Sequence, residues 1–358
     1  MIKEDLNPGP IEVRTSGTSS RMQWLDVAKG IAIILVVIGH ALGGILDSST
    51  IRPDNWVKYS FAAIYVFHMP LFFLLSAYLV EKRLRNNRKS FVKSMFTKIA
   101  IPYFIWSAVQ LVVIWGAGSL VNKPVNDLQS SLLAIPYWPP SQFWFLYALF
   151  LLHVVSLCIV GKINSVFLPI IGIAMMFTAR MVQLPIMISV SFVTAPYYFF
   201  GIYLGSIEHK LPTMVRSFKV TAAVTALALA LLSVTILLIF TGLSQDVLAN
   251  PRAGQLQAAT RSFEAMPAAL VMILAILLIS HHDVPNLSRM LARLGQLAMP
   301  IFVLHIMVVA GGRIALGKLM PNMVGPMVFA LTCLGLILPI IAFHILNRMK
   351  LAKPLGLA

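Results

Sequence analysis

The chain has 358 residues, of which 59% are hydrophobic and 11% charged, with a mean hydropathy of +0.86. Those values exclude a soluble globular domain, and the long apolar runs exclude a membrane β-barrel, whose strands would show short alternating segments. The net charge is +16, but the basic residues sit in short loops beside the apolar runs, which fits membrane topology and argues against a nucleic-acid partner.

Residues 1–21 begin "MIKEDLNPGPIEVRTSGTSS" and are polar and rich in Gly, Pro, Ser and Thr. They lack the apolar centre of a cleavable signal and read as a disordered cytoplasmic tail. Residues 22–358 read as one all-α polytopic membrane domain. Ten helices are predicted near 26–46, 60–80, 99–120, 141–160, 164–180, 184–206, 218–242, 263–281, 295–316 and 324–347, where apolar runs approach or exceed the roughly 20 residues needed to span a bilayer. Pro169, Pro185 and Pro196 interrupt the fifth and sixth, which reads as kinking. The N-terminus, the C-terminus and the loops on their side (81–98, 161–163, 207–217 with Lys219, and 282–294) carry 19 Lys and Arg, against 8 on the other side. That bias predicts both termini in the cytoplasm. Cys158 and Cys333 fall within predicted helices and form neither a disulfide framework nor a CxxC metal pair, so no metal is expected.

Helix 1 carries two ionisable residues in "VAKGIAIILVVIGHALGG". Lys29 lies near the predicted inner surface, and His40 lies about 16 Å deeper along the axis. Eleven residues bring the two within about 20° of the same helix face. A lysine near a helix end also serves as a snorkelling anchor, but His40 is too short to reach either surface. Gly39, Gly43 and Gly44 surround it, which suits close helix packing and equally leaves room for a substrate. Asp26, where helix 1 enters the membrane, is a further candidate to line the site.

Helix 2 repeats the pattern in "YVFHMPLFFLLSAYLVEKR", with His68 at about the depth of His40. The loop "EKRLRNNRKSFVKSMFTK" over 81–98 carries seven basic residues and one acid, which suits the phosphates of a cofactor as well as the positive-inside rule and anionic lipid. Between helices 3 and 4, "VNDLQSSLLAIPYWPPSQFWFLYAL" concentrates Tyr137, Trp138 and Trp144. Such a cluster reads as an interfacial aromatic belt, and its ring faces also suit a sugar, so Trp144 is a candidate for the site. Helix 9, "LGQLAMPIFVLHIMVVAGG", puts His305 near mid-membrane. Three histidines in one layer point to a shared polar site.

These residues resemble the membrane-bound acyltransferase 3 family, in particular its branch similar to fucose 4-O-acetylases and polysaccharide O-acetyltransferases. The resemblance rests on the basic residue and histidine with ten residues between them in "LDVAKGIAIILVVIGH". It extends through "FHMPLFFLLSAYL", "IPYFIWS", "FWFLYALF" and "GQLAMPIFVLH". It implies a ten-helix enzyme in a bacterial inner membrane that takes an acyl group, usually acetyl from cytoplasmic acetyl-CoA, and delivers it to a hydroxyl of a glycan or lipid-linked sugar. Succinyl transfer is the other option. His40 then corresponds to the catalytic histidine and Lys29 to its basic partner. Where relatives often carry an RxxR pair before the proline of helix 3, this chain has Lys93 and Lys98 ahead of Pro102.

Imidazole titrates near neutral pH and suits the proton transfer that acyl transfer to an alcohol requires. His40 serves this chemistry as general base or as acyl carrier, and the sequence leaves both open. Lys29, with Lys93 and Lys98, is expected to hold donor phosphates. The competing reading is a transporter or flippase for a lipid-linked glycan with histidines along its path, which the absence of matching broken helices in two halves disfavours.

Overall fold

The computed structural model describes residues 23–48, 51–208, 262–281, 285–320 and 322–357, and these form helices joined by short turns. The predicted tail 1–21, the predicted helix 218–242 and Lys219 lie outside the described residues. Among the described residues, seven helical stretches are long and apolar enough to cross a membrane: Gln23–Leu46, Asn55–Asn86, Arg88–Leu120, Ser141–Ile159, Ile186–Ser206, Ala298–Leu319 and Val324–Arg348. The protein is therefore a polytopic integral membrane protein, built of helices throughout its described residues.

The helices that build the site are α1 (Gln23–Leu46) and α2 (Asn55–Ala77). α1 is apolar on nearly all sides, the pattern of a helix with neighbours all round. It packs against α2 and against four helices of the C-terminal half: α10 (Ser262–His281), α11 (Pro285–Gln296), α12 (Ala298–Leu319) and α13 (Val324–Arg348). α13 covers this group on its outside. It buries Val324, Met327, Leu331, Gly335 and Pro339 at helical spacing, and leaves Phe329, Ile337, Leu338, Ile341 and Ile345 exposed, as a lipid-facing helix would.

Between these halves lie α3 (Val80–Asn86), α4 (Arg88–Met95), a π-helical turn at Phe96–Ala100, α5 (Ile101–Ala117), α6 (Leu128–Ala134), α7 (Trp144–Ile159), α8 (Leu168–Met181) and α9 (Ile186–Ser206). The expected fifth helix is present as α8, but at 14 residues it is shorter than a full span.

Two segments differ from the sequence expectation. Residues 81–98 are helical rather than a loop, because they are rich in Glu, Lys, Arg, Leu and Met, which favour helix. Asn87 restarts the helix as an N-cap, its side chain accepting from the Ser90 amide at 2.9 Å, and Arg85 pairs with Glu81 one turn earlier at 2.7 Å. Residues 121–140, expected as an outer loop, fold back along α5. Asn122 Nδ2 donates to the Gly44 carbonyl at 3.1 Å near the end of α1, while Tyr103 OH at the start of α5 donates to the Ile135 carbonyl. The chain returns after that turn to pair Gln142 with Gln110 at 2.8 Å. α5 and α7 then run antiparallel, with Tyr103 against Tyr147 and Phe96 against Phe150. The physical reason is the polar content of the segment: its turn carbonyls need donors inside the bundle, and Tyr103 supplies one.

Candidate functional site

The site starts from the glycines around His40. A Cβ at Gly39 would come 3.1 Å from the Tyr65 ring, and one at Gly43 would come 2.9 Å from the Phe61 ring. The GxxxG spacing therefore seats two aromatic rings of α2 directly on α1. Phe61 and Tyr65 stack at 3.9 Å between centroids, and Tyr65 OH reaches His40 Nδ1 at 3.4 Å, the long end of hydrogen-bond reach. One turn on, Pro70 removes an amide from the α2 ladder. The His68 ring lies 4.6 Å from that of Tyr65.

α12 supplies the third histidine. The His305 ring centroid is 5.0 Å from that of His40 and 6.1 Å from that of Phe302. The three expected histidines thus meet in one cluster, with Tyr65 joining His40 to His68. His68 and His305 are fully buried, whereas His40 is partly exposed.

Hydrogen bonding sets the form of two of the rings. His68 Nδ1 lies 2.8 Å from the Ile64 carbonyl, and His305 Nδ1 lies 3.0 Å and 2.8 Å from the carbonyls of Ile301 and Phe302. Carbonyls only accept, so in each ring Nδ1 is the N–H and, when the ring is neutral, Nε2 keeps the lone pair. His305 Nε2 is buried and has no hydrogen-bond partner among the described residues. It is an open acceptor beside His40.

The other expected residues fall in two places. Lys29 is half-buried on α1, and the charges that act on it are Asp26, one turn earlier, and Arg83 of α3. Asp26 accepts from Gln296 Nε2 at 3.2 Å. Arg83 donates to Ser94 Oγ at 2.7 Å and lies over the Phe91 ring. Lys93 and Lys98 are exposed on α4 and the π-helical turn. Trp144 stands with its ring 6.2 Å from Phe73 rather than against the histidines.

Four residues near the cluster were not singled out from sequence. Tyr65 precedes His68 by one helical turn, a spacing that places both on one face and was legible in principle. Gln110 and Gln142 form a buried amide pair, and Gln142 Nε2 lies 3.5 Å from the Val303 carbonyl, two residues before His305. Arg313, further along α12, is 6% exposed despite its charge. Among the described residues no group of three or more His, Cys, Asp or Glu is placed to hold a metal ion. A separate apolar cavity of about 510 Å³ lies between α5 and α7, lined by Phe96, Tyr103, Phe104, Pro136, Leu146 and Phe150.

Comparison with known proteins agrees with the motifs. The chain is similar to the nodulation protein NolL of Mesorhizobium japonicum, at 34% identity over 139 residues, 38% of this chain and 35% of that protein. It is also similar to the nodulation protein NolL of Sinorhizobium fredii, at 39% identity over 97 residues, 26% of each chain. These matches span only about a third and a quarter of the curated relatives' length. No solved structure matches. The family model described as an acyltransferase domain matches residues 22–344, nearly the whole chain, and includes every residue of the histidine cluster. The chain belongs to the acyltransferase 3 family.

Proposed function

We propose that the protein is a membrane O-acyltransferase that moves an acyl group, acetyl in the first instance, from cytoplasmic acetyl-CoA to a hydroxyl of a glycan or lipid-linked sugar. The observation that carries this reading is the partly exposed His40 ring, 5.0 Å from His305 and within 3.4 Å of the Tyr65 hydroxyl. His40 takes the acceptor's hydroxyl proton as the oxygen attacks the thioester carbonyl. The tetrahedral intermediate then collapses, the C–S bond breaks, and the proton passes from the imidazolium to the departing CoA thiolate. Tyr65, accepting from His40 Nδ1–H, would hold the ring in the form with Nε2 as base. His305 Nε2 offers a second acceptor for the incoming hydroxyl.

On this reading Lys29 faces the donor from the Gln23 end of α1, where the excess of basic residues supports a cytoplasmic position. The bacterial origin of the matched relatives supports a plasma-membrane setting. The test is release of CoA from acetyl-CoA by the full chain in nanodiscs, with glycan extract as acceptor. His40→Ala is expected to lose at least about 100-fold of the rate while remaining monodisperse, within the usual range for a lost general base. Retention of more than about a tenth of wild-type activity would remove His40 from the chemistry.

A further inference from the structure

Arg313 lies in the later half of α12, eight residues beyond His305, and points into the bundle rather than toward lipid. A Cβ at Gly44 would come 3.5 Å from Arg313 Cδ and 3.9 Å from its Nε. Gly44 follows His40 by one turn, so the arginine stem lies against α1 directly beyond the histidine cluster, at the end opposite Lys29. A guanidinium has five N–H donors, and the hydrogen bond that Arg313 makes among the described residues is from NH1 to Ser48 Oγ at 3.3 Å. It forms no salt bridge there. The nearby carboxylate, Asp47, is paired instead with Lys123 at 3.4 Å, and Asn122 closes the same corner through the Gly44 carbonyl. The Asp47 charge still acts on Arg313, but among the described residues no carboxylate contacts its guanidinium in this almost buried position. A guanidinium held inside a membrane bundle with no carboxylate in direct contact is a functional feature by default, and the planar fork matches a planar or tetrahedral oxyanion.

We propose that Arg313, with Ser48 beside it, is an anion seat on the acceptor side of His40, taking a phosphate or carboxylate oxyanion carried by the acceptor molecule. The seat rests on the acyltransferase reading only for the word acceptor. Binding of the oxyanion itself is independent of acyl transfer. Oxyanion recognition at this end would hold the acceptor so that a neighbouring hydroxyl is presented to His40, while the donor occupies the Lys29 end.

The test is titration calorimetry on the full chain in phosphatidylcholine nanodiscs with three probes: glucose 1-phosphate, methyl glucuronide and methyl glucoside. At least one anionic probe is expected to bind about tenfold or more tightly than the neutral glucoside, from the strength of charged hydrogen bonds. Binding of glucose 1-phosphate alone assigns the oxyanion to a phosphate, and binding of the glucuronide as well extends it to acidic sugars. Arg313→Gln is expected to bring the anionic probes down to the glucoside, with acetyl-CoA affinity unchanged. Should that variant not stay monodisperse, Arg313→Lys carries the test, with a several-fold loss for the anionic probes and no change for the glucoside. Equal binding of all three probes by wild type, or undiminished anion affinity in the variant that folds, would overturn the seat. Because His40→Ala should keep the anion preference, failure of acyl transfer and failure of the seat are read separately.

Discussion

Lys29 and His40 share a face of α1 but stand eleven residues apart, too far for contact along a straight helix. That distance suits a donor whose phosphates and thioester lie at opposite ends of an extended arm. If Lys29 holds the phosphate end, Lys29→Met should weaken acetyl-CoA binding about tenfold or more, while Lys29→Arg retains much of it because the charge is kept. Calorimetry on the purified chain reads this, and unchanged donor affinity in Lys29→Met together with lost transfer would move Lys29 to a later step. At this scale His40, His68 and His305 stood out because each interrupts an apolar run at a similar expected depth. Tyr65 was hidden because a tyrosine in a span reads as ordinary core, and its meaning comes only from Gly39 admitting its ring to the face that bears His40. Arg313 was hidden because a basic residue near a helix end reads as a topology signal. Trp144 stood out by its place in an aromatic cluster, and its ring lies beside Phe73.

The orientation of α1 depends on α11, an amphipathic helix that exposes Leu287 and Met290 while burying Ser288, Ala292 and Gly295. The two backbones meet at glycines. A Cβ on Gly295 would stand 1.8 Å from the Asp26 carbonyl oxygen, and one on Gly30 would stand 2.0 Å from that of Leu291. Such contact is the way membrane helices gain packing energy when lipid is as apolar as the helix surface. Gly295→Val must therefore push the helices apart, and it should cost roughly 1–3 kcal/mol by overpacking. Thermal unfolding followed by size-exclusion chromatography would show a lower midpoint than wild type, and an equal midpoint would mean that this crossing does not hold α1. Element positions were legible from hydropathy for the long spans, since α1, α2, α9, α12 and α13 fall within a few residues of the expected runs. The helices over 81–98 and the fold-back of 121–140 were not, because charge density suggested a loop in one and turn residues suggested an outer connection in the other. Helix propensity decided the first, and the need of turn carbonyls for a donor decided the second.

Across the whole molecule, the α1 axis runs from a basic end at Lys29, past the histidine cluster, to a second basic group at Arg313. On the proposed function, donor and acceptor approach along this axis from opposite faces. Family membership and the helical membrane architecture were both legible from the spacing of Lys29 and His40 and from composition. What the sequence withheld was the convergence of α1, α2 and α12 on one point, where Gly39 and Gly43 seat α2 rings on α1 and α12 comes in from more than 200 residues away. The central claim is that acyl transfer from a donor on one face to an acceptor on the other requires His40 as base. The most direct measurement uses sealed proteoliposomes with isotopically labelled acetyl-CoA supplied only on the face bearing loop 161–163, identified by accessibility labelling at Lys162→Cys, and glycan acceptor only on the other. Label is expected in the glycan as an O-acetyl ester with wild-type protein and not with His40→Ala. Label that remains on the donor face, or that reaches the glycan equally well without His40, would contradict it.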